Sequence, residues 1–191
     1  MFAKINLYQF SLPIVLGSLV LGLSFVSPYF LTAENISNAL VASATVGILA
    51  VGATIVIGAG GIDLSSGAVM ALAACLGVSF GLYLNSSGIL MIVFCLTAGL
   101  IIGVINGTIS AKTAIPPFII TLATMSIMRG LSFIIMDGKP LYDLPHEIVF
   151  LGQGSFIGIP MPIIIFFCDK PLWASLINTN NFWTSLDCTW R

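Results

Sequence analysis

Read for polarity alone, the chain is a succession of long apolar runs separated by short polar punctuation. The runs Ser11–Phe30, Ala39–Gly60, Gly67–Leu84, Gly88–Ser110 and Phe118–Met136 reach or approach the ~20 residues a helix needs to cross a bilayer. A sixth, Ser155–Cys168, is shorter. Alternation with period two over ~10-residue segments, the mark of a membrane β-barrel, is missing. The pattern predicts an all-α, polytopic transmembrane bundle of about six spans. A helix break falls in "GAGGIDLSSG", Gly58 to Gly67.

That decapeptide interrupts what is otherwise one apolar run from Ala39 to Leu84, and it holds Asp63, the only charged residue between Glu34 and Lys112. Gly58, Gly60 and Gly61 permit backbone angles strained for other residues and end the second span. Asp63, Ser65 or Ser66 then caps the next helix, where free amides and the dipole favour an oxygen acceptor. Irregular backbone at membrane depth is tolerated where it is buried in protein or lines a wet cavity, and an ionisable group there marks a candidate functional site. Three roles fit Asp63: a structural cap with Lys112 as counter-charge, a direct solute contact, or a gating element. On the spans above it stands at about the depth of Asn106.

Arg129 is the second charge within a span. Pro116 and Pro117 suit the start of its helix, where a missing amide costs little. Arg129 lies about two-thirds along and is expected to face the bundle interior and find an acidic or carbonyl partner. A structural ion pair, snorkelling to the interface and a place on a solute path all fit it. Gly99, Gly103 and Gly107 form a G-x3-G-x3-G ridge, and Gly67, Ala71 and Cys75 a similar small face one span earlier. Such ridges predict close helix packing, within the bundle or between subunits.

Composition sharpens the class. Of 191 residues 58% are hydrophobic and 7% charged, with a net charge of −1, and the mean hydropathy is +1.12. An average soluble domain carries about 25% charged residues. No basic patch points to nucleic acid. The four cysteines, Cys75, Cys95, Cys168 and Cys188, lack metal-ligand spacing, and the two mid-span ones read as packing residues. A lone His146, with no Ser/His/Asp grouping, no HExxH and no GxxxxGK[ST] loop, predicts no catalytic residue, no metal site and no enzyme. ATP-driven work then requires a partner engine.

The N-terminal stretch 1–30 has one lysine, Lys4, and no small-residue cleavage site, so its apolar part, Ser11–Phe30, reads as a retained helix rather than a signal peptide. With Lys4 inside, six crossings put Lys112 and Lys170 inside as well, as the positive-inside rule prefers. The segment 137–154 then lies outside. A re-entrant break at Asp63 would reverse the downstream parity. All three tryptophans, Trp173, Trp183 and Trp190, fall in the last nineteen residues. That stretch reads either as an interfacial anchor or as a tail foreign to the rest.

Three motifs resemble the permeases of ABC-type monosaccharide importers, the ribose, arabinose, xylose and galactose group. "AVGATIVIGAGGIDLSSG" is similar to the family's AVGMT…GGIDLSVG core, with Ser66 where valine is common. "PFIITLATMSIMRG" resembles its P-x-F-I-x-T-L-x-x-M-x-x-x-R-G segment through Pro117, Phe118, Thr121, Leu122, Met125, Arg129 and Gly130. "GQGSFIGIPMP" resembles its G-x-G…G-x-P-x-P segment through Gly152, Gly154, Gly158, Pro160 and Pro162. The resemblance implies a multi-pass subunit of the bacterial inner membrane, N-terminus cytoplasmic, pairing with a second permease subunit as a homodimer or heterodimer. It implies sugar delivery by a periplasmic binding protein and a cytoplasmic ATPase partner that uses the ATP; the chain itself needs no cofactor. Gly60, Gly61, Asp63, Ser65, Gly67, Phe118, Thr121 and Arg129 become candidates for the translocation path or the break. The family continues into a second half of helices and a cytoplasmic coupling segment absent here. Residues 1–168 therefore read as an N-terminal half and 169–191 as an atypical tail, as a frameshift or early stop would give, with activity lost. A small ion-coupled transporter using Asp63, or a non-transporting membrane remnant, are the alternatives.

Overall fold

A computed structural model describes residues 11–140, 142 and 144–168. Its elements in chain order are α1 (Ser11–Val26), α2 (Ala33–Gly58), α3 (Ser66–Tyr83), α4 (Gly88–Lys112), α5 (Pro117–Met136), α6 (His146–Gln153), β1 (Ser155–Phe156) and β2 (Ile159–Pro160). Residues 161–168 are again helical. Among the described residues, α2, α3, α4 and α5 are long and apolar enough to cross a membrane. The all-α bundle expected from the pattern is what forms. The expected tail, 169–191, lies outside the described residues, as does Lys4.

The chain divides into two compact units, residues 1–43 and 44–191. In the first, α1 stops at Val26, four residues before the predicted end. Ser27 precedes Pro28, and a residue before proline avoids the helical region. Helix α2 begins at Ala33, six residues earlier than predicted. The hydroxyl oxygen of Thr32 accepts from Asn35 N at 3.3 Å, and Glu34 sits in the positive first turn. Hydropathy located the greasy part of this helix but not its polar start.

The second unit is built around α3, which packs most extensively against α4 and α5. Its buried face carries Ala73, Gly77 and Gly81, four residues apart. A Cβ at Gly77 would stand 2.8 Å from Cys95 N and 2.9 Å from Met91 O, so the α3 and α4 backbones touch there. At Gly81 it would meet the side chain of Met91, itself 1% exposed. Close backbone approach supplies dispersion contact that lipid cannot replace. The small face of α3 is thus Ala73–Gly77–Gly81. Gly67 and Ala71, two of the three residues predicted for it, are exposed.

Two further differences concern the segment after α5. The stretch 137–154, read as a loop, contains the short helix α6. Its Glu147 carboxylate lies against Gly88 at the start of α4, where the helix dipole favours negative charge. His146 stacks on Phe150, ring centroids 6.4 Å apart. The predicted sixth span does not start at Ser155, because Ser155–Phe156 pairs antiparallel with Ile159–Pro160 across a tight turn. Helix resumes only at residue 161, and Phe166 covers Gly47 of α2.

Candidate functional site

The break after α2 forms as its glycines predict. Gly60 N–H donates to Ile57 O at 2.9 Å and Gly61 N–H to Val56 O at 3.0 Å. Gly60 has φ +81°. This is the two-bond arrangement that ends helices with a left-handed residue, and only glycine takes that φ without strain. Gly61 is buried, and a Cβ there would lie 3.2 Å from the Val56 side chain.

Asp63 then folds the extended segment back on itself. Its Oδ1 accepts from Ser65 N at 2.7 Å and from the Ser65 hydroxyl at 2.6 Å. The cap therefore acts on Ser65, one residue ahead of α3, and Ser65 itself makes no side-chain cap bond to the helix. Ser65 Oγ in turn accepts from Asn106 Nδ2 of α4 at 3.1 Å. Asn106 Oδ1 accepts from the Thr124 hydroxyl of α5 at 2.7 Å. Beside this chain, the Thr121 hydroxyl lies 3.2 Å from Ile62 O of the break and 3.2 Å from Phe118 O of its own helix.

The chain runs in one direction: every hydroxyl and amide donates toward the Asp63 carboxylate. Ser65, Thr121 and Thr124 are 1%, 5% and 9% exposed. Among the described residues no buried side-chain nitrogen or oxygen lacks a partner. Buried polar groups of this kind are costly unless paired, so the network fixes how the break sits between α4 and α5. Depth follows from helix rise. Asn106 is six residues before the end of α4 and Thr124 seven residues into α5. At about 1.5 Å per residue, both lie roughly 10 Å inside their helix ends. The predicted equal depth of Asp63 and Asn106 is met through Ser65.

Beside the network opens a cavity of about 510 Å³, bounded by the end of α2, the break, α3, α4 and the start of α5. Asp63, Ser65, Gly61, Thr121 and Asn106 line it. So do Gly99, Gly103 and Gly107. No atom of another described element lies within 4 Å of where a Cβ at these three would stand. Among the described residues they therefore make no close helix–helix contact, and the close approach expected for them occurs at Gly77 and Gly81 instead. Their missing side chains widen the cavity.

The other predicted residues are placed differently. Gly60 shapes the break without lining the cavity, and Gly67 faces outward with open space around it. Phe118 is 45% exposed and takes part through its carbonyl. Arg129 is exposed. Among the described residues no hydrogen bond or ion pair joins it, and Asp63 and Lys112 are likewise unpaired with any cation or acid. The expected inward-facing Arg129 with an acidic or carbonyl partner is not found. The α5 face turned to α3 and the break is that of Ile120, Thr121 and Thr124. Asn106 and Thr124 were not among the predicted site residues. A carboxamide in the middle of "GLIIGVINGTIS" was the available signal, since such a group needs a partner in a lipid-embedded helix.

The permease component of branched-chain amino acid transport systems is the family that matches, over residues 35–143, which span α2 to α5 and the break. The chain is 41% identical over 148 residues to the ribose import permease protein of Bacillus subtilis (strain 168), covering 76% of this chain and 46% of that protein. It is 35% identical over 136 residues to the D-allose transport system permease protein of Escherichia coli (strain K12), covering 71% and 42%. To the L-arabinose transport system permease protein of the same strain it is 31% identical over 186 residues, covering 91% and 53%. The chain spans about half the length of the curated relatives it matches. No solved structure matches it significantly.

Proposed function

This chain belongs to the family of permease components of ABC-type transport systems, and from that membership we infer that it is the transmembrane permease subunit of an ATP-driven monosaccharide importer. As a family of membrane permeases this is not a family of enzymes, and the chain is a multi-pass membrane protein. The single observation that carries the sugar is the set of relatives: ribose, allose and arabinose permeases align across the break and the cavity beside it. A monosaccharide released by a periplasmic binding protein passes along that cavity, with a cytoplasmic ATPase supplying the energy. A second permease subunit completes the path, in the inner membrane with the N-terminus inside. The segment 137–154 faces the binding protein.

A helix break next to a cavity suits transport because it exposes polar backbone to a solute without opening a helix to lipid. The cavity volume lies within the roughly 300–1,000 Å³ typical of small-molecule sites. Uptake of labelled ribose, allose and arabinose tests the reading, with this chain expressed alongside the remaining parts of its transport system. ATP-dependent accumulation that survives an uncoupler is expected. Accumulation that follows the proton gradient and ignores ATP depletion would overturn it in favour of a secondary transporter.

A further inference from the structure

The polar chain that pins the break ends on a carboxylate with one oxygen still unengaged. Thr124, Asn106 and Ser65 each donate to the next group along it, and both bonds to Asp63 fall on Oδ1. Oδ2 accepts nothing from any described residue, while Asp63 is half-buried and lines the cavity. Two more polar side chains on that lining, Ser66 at the start of α3 and Ser110 near the end of α4, make no hydrogen bond in the structure. Among the described residues no lysine, arginine or histidine lines the cavity, and the rest of its wall is largely aliphatic side chains and glycine.

Resting on the sugar-import reading above, we propose that Asp63 Oδ2, with the hydroxyls of Ser66 and Ser110, forms a binding site for the hydroxyl groups of a neutral polyhydroxylated solute. A carboxylate is an acceptor only, so it takes O–H donors. Charge-assisted bonds of this type are shorter and stronger than neutral ones. The two serine hydroxyls, which donate and accept, take either end of a further sugar hydroxyl. The apolar wall receives the C–H face of the ring, and the glycines at 99, 103 and 107 leave room for it. An amino acid could set its ammonium on Asp63, but its carboxylate would find no cationic side chain among the described lining residues to offset its charge. That selects sugars over amino acids, although the family's description refers to amino acids.

The test is equilibrium binding of tritiated ribose, allose and arabinose to the purified full chain in nanodiscs, with leucine as competitor. Sugar binding not displaced by leucine is expected. Asp63→Asn keeps an oxygen acceptor for Ser65 but removes the charge, and should weaken sugar binding about ten- to a hundred-fold, the worth of a hydrogen bond to a charged group. Ser110→Ala leaves no bond of the fold broken and should weaken binding about three- to ten-fold, as for a neutral bond. It decides the matter should Asp63→Asn fail to fold. Sugar binding unchanged in Ser110→Ala and in folded Asp63→Asn overturns this site while leaving the import reading intact. Displacement by leucine, or leucine binding that depends on Asp63, overturns the sugar reading itself. Absence of sugar binding by the parent chain overturns the site.

Discussion

Asn106 is the hinge pin of the polar network, and replacing it with leucine isolates what the network contributes. Leucine is close to asparagine in shape, so Asn106→Leu removes the carboxamide without opening a large void. Two bonds disappear, one from Asn106 to Ser65 at 3.1 Å and one from Thr124 at 2.7 Å. The hydroxyl of Thr124, a residue 9% exposed, loses its acceptor on α4. A buried bond contributes about 0.5–1.5 kcal/mol net in soluble proteins, and interhelical bonds in membranes average about 0.6 kcal/mol with a maximum near 1.7. The two together, with the stranded hydroxyl, give an expected loss of about 1–3 kcal/mol. Thr124→Val should cost less alone and should restore part of the loss in combination, because an apolar pair of matching shape leaves no group unpaired. Unfolding of the chain in mixed micelles, followed by far-UV circular dichroism, reads all four proteins of the cycle. A coupling of about 0.6–1.7 kcal/mol between the two sites is expected. Coupling below ~0.3 kcal/mol, the level at which independent sites add, would show that the bond between α4 and α5 holds nothing together.

Two further outcomes follow from the glycine positions and from Arg129, which has no partner among the described residues. Gly77→Ala places a methyl against the α4 backbone and should destabilise by about 1–3 kcal/mol, whereas Gly99→Ala meets open space and should be neutral or stabilising by up to about 1 kcal/mol through helix propensity; equal effects in the same unfolding assay would contradict the assignment of contact and cavity faces. Arg129→Gln breaks no bond within the described residues and should leave the unfolding free energy within about 0.5 kcal/mol, so a larger loss would place a partner for Arg129 on the chain itself.

The elements with strong local chemistry were legible in the sequence. Gly60 and Gly61 announce the end of α2, Pro116 and Pro117 the start of α5, and an acid amid apolar residues announces Asp63 as special. What hydropathy could not supply was direction around a helix. Most positions of an embedded helix are apolar on every side, so the pattern does not distinguish the face that meets protein from the face that meets lipid or a cavity. For that reason the ridge at Gly99–Gly103–Gly107 and the ridge at Ala73–Gly77–Gly81 look alike on paper, yet one borders space and the other meets a backbone. Arg129 failed for the same cause: its place along α5 is readable, its azimuth is not. The start of α2 at Ala33, the helix at His146 and the hairpin at Ser155 were missed differently, because their signals are hydrogen bonds over three to six residues rather than hydropathy over twenty.

The one-way hydrogen-bond chain has an evolutionary corollary. Each link needs its neighbour to keep one polarity: Thr124 must give, Asn106 must both take and give, and Ser65 must take from Asn106 and give to Asp63. A lineage that exchanges Asn106 for aspartate would set two carboxylates to bid for one serine proton, and one that exchanges Asp63 for lysine would leave the serine proton with no taker. Positions 63, 65, 106 and 124, spread over the break and two helices, therefore form a single word, and a change in one letter keeps its meaning only when the others are respelled.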